Sequence, residues 1–251
     1  MNTAEFFDLD VAGASVRANL PDAFRKVWEH IVAPGSGWSS VERVAIAEEA
    51  RRAETCALCQ ERKKAVSPNA VQGEHDHGNG LPGAAIEAVH RISTDSGRLI
   101  KSFFEQTREA GISDSQWVEF VGIVSSLKSI DTFYRALGLP IESLPEPNAD
   151  VATGYRPEGA TMSGGWLPMI REKHLAEPEK MLYEGYPKTG TVLRAMSLVP
   201  NEVWNLHRIS EPMYLPTRHV ADFHASGNRA IDRMQIELLA ARVSVLNECF
   251  Y

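Results

Sequence analysis

The 251 residues contain three cysteines, and two of them, Cys56 and Cys59, stand in a Cys-x-x-Cys. An odd count with one such pair reads as a catalytic or metal-binding dithiol, not as a disulfide framework. On a helix this spacing sets both sulfurs on neighbouring turns of one face, close enough for a disulfide after modest adjustment. A thiol that reduces a peroxide must be ionised when it attacks the O–O bond, and a second thiol must then resolve the product. Helical steps back from Cys59 reach Cys56, Arg52 and Glu48, with Glu49 beside them. A guanidinium one turn from a thiol favours the thiolate, and Glu48 or Glu49 can accept a proton. The plainer reading of Glu48, Glu49, Arg51 and Arg52 is a set of surface ion pairs.

His75 and His77, in Glu74-His75-Asp76-His77-Gly78, offer a further acid or base. Joined to the cysteines they supply an alternative: Cys56, Cys59, His75 and His77 are four ligands of the types a tetrahedral zinc site uses, which makes the pair structural. His90, beside Arg91 and near Asp95 and Arg98, reads as a packed or paired histidine at the edge of the core. His207, His219 and His224 read as structural or surface groups. Cys249 alone behaves as a small hydrophobe.

These residues must be positioned by helices. Phe24, Val27, Trp28 and Ile31 recur at helical spacing in Leu20 to Val32, with Pro21 suited to a first turn. Pro34, Gly35 and Gly37 break the chain, and Ser39 or Ser40 caps the next helix, with Glu42 in its first turn. That helix is expected to run from about Val41 through both cysteines to Lys64, because Ala, Glu and Arg dominate it. Ser67 to Pro82 is a polar loop. Helices follow over Ala84 to Ile92, over Arg98 to Ala110 (stopped by Gly111), and from a Ser113-Asp114 cap through Phe133. Gly138 to Pro168, dense in proline and glycine, is the natural linker. Further helices are expected near Val192–Met196, near Asn201–Arg208 and from about Asn228 to Phe250. No period-two alternation stands out, so the fold class is all-α.

Placing Cys249 over Cys56 aligns two Ala-rich helices, Val44 to Leu58 and Glu237 to Tyr251. The echo suggests two related helical units, residues 1–150 with the Cys-x-x-Cys and residues 151–251 with the linker and a second, partial unit. At these residues the chain resembles the alkylhydroperoxidase AhpD-like superfamily, which includes carboxymuconolactone decarboxylases and peroxidase-related proteins. The family motif is a helical Glu, a Cys-x-x-Cys twelve residues later and a His four residues beyond it. Glu237 lies twelve residues before Cys249, and Ser244, Asn247, Cys249 and Tyr251 match the stretch around the family's first cysteine. In the first unit both cysteines are present, whereas Val44 and Lys63 occupy the glutamate and histidine positions. Gly111 to Pro147 is also similar to peroxidase-related members.

The resemblance implies an AhpD-like helical fold and a homo-oligomer. It also implies an antioxidant oxidoreductase that reduces organic hydroperoxides through a Cys56/Cys59 dithiol–disulfide cycle, with Cys59 attacking and a thiol reductant restoring it. No cofactor is implied, and no Gly-x-Gly-x-x-Gly nucleotide fingerprint is present. The rival expectation is a non-catalytic or zinc-binding protein that works through assembly.

Composition narrows the partners. A formal charge of −7 supplies no basic stripe for nucleic acid or an anionic membrane. The short run Arg62-Lys63-Lys64 reads as a solvated helix face. The N-terminus lacks a basic-then-apolar leader and no stretch reaches the roughly 20 apolar residues of a membrane span. A cytoplasmic location is the resulting expectation.

Overall fold

A computed structural model describes residues 6–9, 16–78, 80–185, 189–216, 219–227, 229–247 and 249. Helices α1 (Asn19–Val32), α2 (Ser40–Arg52), α3 (Ala57–Lys64), α4 (Gly83–Asp95), α5 (Lys101–Glu109) and α6 (Asp114–Ala136) come first. A small hairpin follows, in which β1 (Ala160–Met162) pairs antiparallel with β2 (Pro168–Ile170), Thr161 opposite Met169. Helices α7 (Thr191–Ala195), α8 (Pro200–Met213) and α9 (Arg233–Leu246) complete the described chain. The class is therefore largely helical, and the hairpin corrects the expectation of an all-α chain. Its three-residue strands are too short for an alternation to register in sequence.

The helix starts follow local chemistry. Ser39 and Glu42 form a reciprocal capping box at α2, as do Ser113 and Gln116 at α6 and Asp232 and Gln235 at α9. After α5, Gly111 adopts φ +99°, a backbone conformation open to glycine and strained for other residues. Helix α6 spans 23 residues, about 34 Å at the α-helical rise. Its buried Phe120, Ile123, Leu127 and Ile130 join Trp28 and Ile31 of α1, Ile46 of α2 and Val89 of α4 in one apolar core. A smaller cluster joins Val118 of α6 to Ile170, Leu198 and Val203. Among the described residues, no helix is long and apolar enough to cross a membrane.

The expected single helix from Val41 to Lys64 is broken. Helix α2 ends at Arg52, and Cys56 stands in an extended conformation (φ −63°, ψ 124°) as the cap before α3. No glycine or proline marks the break. A distant and a local contact make it: Glu54, in the turn, accepts from Lys128 and Arg135 of α6, and the Thr55 hydroxyl donates to the Arg52 carbonyl three residues back. Such contacts override the helix propensity of Ala and Glu.

A buried charge cluster fastens α8 to the first helices. Arg43 of α2 donates to Glu119 of α6 at 2.6 Å and to Glu202 of α8 at 3.0 Å, and His30 of α1 meets Glu202 at 2.9 Å. Glu119 also accepts the Gly37 amide. Gly122 lets Glu202 approach; a Cβ there would fall 2.0 Å from its carboxylate oxygen. Arg43, Glu119 and Glu202 are almost wholly inaccessible to solvent. Replacement of the arginine therefore leaves two carboxylates buried without their cation. Arg43→Met is expected to cost about 3–5 kcal/mol of unfolding free energy, read from urea denaturation; a loss under about 1 kcal/mol, the range of an exposed pair, would contradict this assignment.

Candidate functional site

The break before Cys56 sets the geometry of the candidate site. Cys56 caps α3 and Cys59 lies in its first turn, and both are buried, at 0% and 2% exposure. Val71, from the segment after α3, packs on them beside Leu58. That segment is tied down twice: Arg62 of α3 donates to the Val71 carbonyl at 3.1 Å, and the Gly78 amide donates to Glu49 of α2 at 3.1 Å. Between these ties His75 turns inward. Its Nδ1 lies 3.4 Å from Cys56 Sγ and 3.5 Å from Cys59 Sγ.

Helix α4 supplies the second imidazole. His90, fully buried, places Nδ1 at 3.2 Å from Cys59 Sγ. The two rings lie 4.1 Å apart, centroid to centroid. Each imidazole is held from behind by a carboxylate. His75 Nε2 meets Glu87 at 2.8 Å, and His90 Nε2 meets Glu49 at 3.0 Å. Arg62 clamps Glu87 at 2.6 Å. Arg98 in turn donates to the carbonyls of Arg62, Lys63 and Ala65, satisfying the last turn of α3 with a cation.

When each Nε2–H donates to its carboxylate, both Nδ1 lone pairs face the sulfurs. Cys56, Cys59, His75 and His90 then bring two S and two N donors to one point, all within 4.8 Å of one another. Among the described residues this is the one cluster able to hold a metal ion. The spacing fits a tetrahedral ion. With Zn–S of about 2.3 Å and Zn–N of about 2.0 Å, a sulfur and a nitrogen on one zinc lie about 3.5 Å apart.

The electrostatics favour an ionised sulfur at Cys56. Burial pushes the Cys56 thiol up, but the Cys59 amide, His75 and the Asp76 amide donate to it, and the net shift is downward. His75 resists burial through its hydrogen bonds to Cys59, Glu87 and Cys56, and is pushed up to about 10. Burial raises Glu87, but His75 and Arg62 overcome it and hold the carboxyl at about 2. His90 is lowered, by burial first and by the charge of His75 as well.

The expected residues divide sharply. Cys56, Cys59 and His75 meet, and Glu49 joins them through His90. Glu48 is exposed, because one helical step from Glu49 turns it about 100° to solvent. Arg52 contacts Glu49 at 3.4 Å instead of a sulfur, since the chain leaves the helix directly after it. His77 is exposed; two residues of extended chain carry it about 6–7 Å past His75. The cluster takes in His90 and not His77, which corrects the ligand set with His77; His90 is packed and paired as its sequence context indicates, but it lies wholly buried beside Cys59 and not at the core's edge. The signal was there: Glu87 and His90 stand three apart on a helix whose Ala85, Ile86 and Val89 are buried. Glu237 bonds Tyr214 and Arg233, whereas Cys249 lies exposed beyond the end of α9. The second-unit pair is thus not brought together. Phe250 and Tyr251 lie outside the described residues.

No protein family, curated protein or solved structure matches this chain.

The His75–Glu87 pair gives the metal-free protein a pH signature. His75 is raised from 6.5 to about 10, so its contribution to stability is complete below about pH 6.5 and fades as pH climbs towards 10. Glu87 is depressed from 4.5 to about 2, so its contribution is complete above about pH 4.5 and fades as pH falls towards 2. Urea midpoints of the metal-free protein are expected to be highest between those limits and to decline on both sides. Glu87→Gln is expected to flatten both limbs; an unchanged pH profile in that variant would contradict the pairing.

Proposed function

We propose that this chain is a metal-centred helical protein in which Cys56, Cys59, His75 and His90 hold one zinc ion. The observation that carries the reading is the convergence of two sulfurs and two Nδ1 atoms, each imidazole backed by its own carboxylate. A tetrahedral set of two thiolates and two imidazoles selects zinc among the common divalent ions. All four positions are filled by protein and buried, the pattern of a structural centre and not of one with an open catalytic position. The bound cation keeps both thiols as thiolates. Glu49 and Glu87 orient the imidazoles and raise their basicity, and Arg62 holds Glu87 in place. The arrangement staples α3, residues 71–78 and α4 together. The apolar cluster at that corner consists of only Cys56, Leu58 and Cys59 with Val71 against them, so metal binding carries much of its local stability.

A second reading keeps the AhpD-like resemblance and is favoured by one line of contacts, Cys59 to His90 to Glu49. A base backed by a carboxylate is the device that ionises a nucleophilic thiol. Attack of the Cys59 thiolate on an organic hydroperoxide would form an S–O bond, break the O–O bond and release an alcohol. Cys56 would then expel water to form the disulfide, and a thiol reductant would return both sulfurs to thiols.

Metal analysis and thiol titration of the purified protein separate the readings. One zinc per chain is expected, lost in Cys59→Ser and His90→Ala but retained in His77→Ala. Chelation should lower the thermal midpoint. Glu49→Gln and Glu87→Gln should each weaken zinc about 10–100-fold. Protein that purifies without zinc, loses two thiols together with a mild hydroperoxide and regains them with dithiothreitol would instead support the peroxidase and overturn the zinc centre.

A further inference from the structure

Helix α9 is fastened at its first turn and bare beyond it. Arg233 donates to the carbonyls of His219, Val220 and Asp222, and Ile236 is buried. No later residue of the helix is buried. Six of its 14 residues are large apolar side chains more than half exposed, Met234, Leu238, Leu239, Val243, Val245 and Leu246. A helix of this length is marginal in water without tertiary packing. A contiguous apolar face of this kind marks a surface that another molecule covers.

The spacing on that face points to its occupant. Met234, Leu238, Ala241 and Val245 recur at steps of four, three and four, the repeat that lets two helices pack along a shared seam. At about 100° per residue the seam lies on the side of the helix away from Ile236, so the face turned to the body of the chain and the face offered to a partner do not compete. The flanking charges are complementary in one orientation. Glu237 stands on one flank of the seam, and Arg242, five residues on, stands on the other. Between two parallel copies this offset sets each Glu237 beside the partner's Arg242, twice over by two-fold symmetry. Antiparallel copies bring Arg242 to the partner's Gln235 and Glu237 to the partner's Ser244, and no ion pair forms. Both charged groups have capacity. Arg242 makes no ion pair with a described residue, and the contacts of Glu237 to Tyr214 and Arg233 fall on Oε1, leaving Oε2.

We propose that α9 is a self-association surface, pairing in parallel with α9 of a second copy of this chain along Met234, Leu238, Ala241 and Val245. The 14-residue helix is about 21 Å long. The seam is therefore smaller than a standard interface, and the dimer is a weak one that dissociates in the micromolar range. Parallel pairing also brings the exposed Cys249 of both copies to the same end of the helix pair, where the thiols report the orientation.

Sedimentation velocity of the intact, reduced protein from about 1 to about 200 µM tests the proposal. A concentration-dependent equilibrium between monomer and dimer is expected. Leu238→Glu should weaken the dimer at least about tenfold and leave the thermal midpoint of the dilute protein unchanged, since the side chain is exposed in the single chain. Arg242→Glu should weaken the dimer in dilute salt and by less in concentrated salt. A short bis-maleimide should join Cys249 to Cys249 in the unaltered protein, and not in Leu238→Glu or Cys249→Ser. A monomer at every concentration would overturn the proposal, including one that sediments with phosphatidylserine vesicles, which would assign the stripe to a lipid surface. So would a dimer that Leu238→Glu leaves intact, or one that it abolishes but whose Cys249 thiols cannot be joined, the outcome of antiparallel pairing.

Discussion

Two imidazole Nδ1 atoms and two buried sulfurs aimed at one point cannot be left to themselves. Each Nδ1 must either carry a proton that it donates to sulfur, as His75 does towards Cys56 in the metal-free protein, or share a cation with the sulfurs, because burial removes water as a substitute. The rest of the corner is built around this constraint. Cys56 must leave the helix so that its sulfur faces Cys59. His75 must be drawn in by a loop fastened at Val71 and Gly78. His90 must come from a different helix, since nothing nearer in the chain reaches the remaining position.

The carboxylates turn this convergence into a defined electronic state. Glu49 and Glu87 fix which nitrogen of each ring carries hydrogen, and so which nitrogen faces the sulfurs. Glu49 belongs to α2 and Glu87 to α4, the same helices that bury Ile46 and Val89 in the main core. The site is therefore referenced to the rigid part of the fold, although half of its donors sit in a cap and a loop. Arg43 plays a comparable part on the other face of α2, where it binds α6 and α8 through Glu119 and Glu202.

Much of the scaffold was legible in sequence because it is local. The Ser39 and Ser113 caps, the stop at Gly111 and the apolar stripe of α6 each follow from residues within one or two turns. The Cys-x-x-Cys, His75 and Glu49 were legible by type. The break between α2 and α3 was not, because no glycine or proline marks it and the contacts responsible come from Lys128 and Arg135, more than 70 residues away. His77 rather than His90 was expected as the fourth donor because linear spacing places it nearer the cysteines, whereas the packing of α4 against α2 and α3 decides the matter. The link of Arg43 to Glu202, 159 residues apart, leaves no periodicity or motif to read.

Zinc-edge X-ray absorption of the purified full chain tests the four-donor centre. One zinc with two sulfur neighbours at about 2.3 Å and two nitrogen neighbours at about 2.0 Å is expected, with one nitrogen lost in the His90→Ala protein. A zinc shell of oxygen and nitrogen without sulfur, or a metal-free protein with Cys56 joined to Cys59, would contradict it.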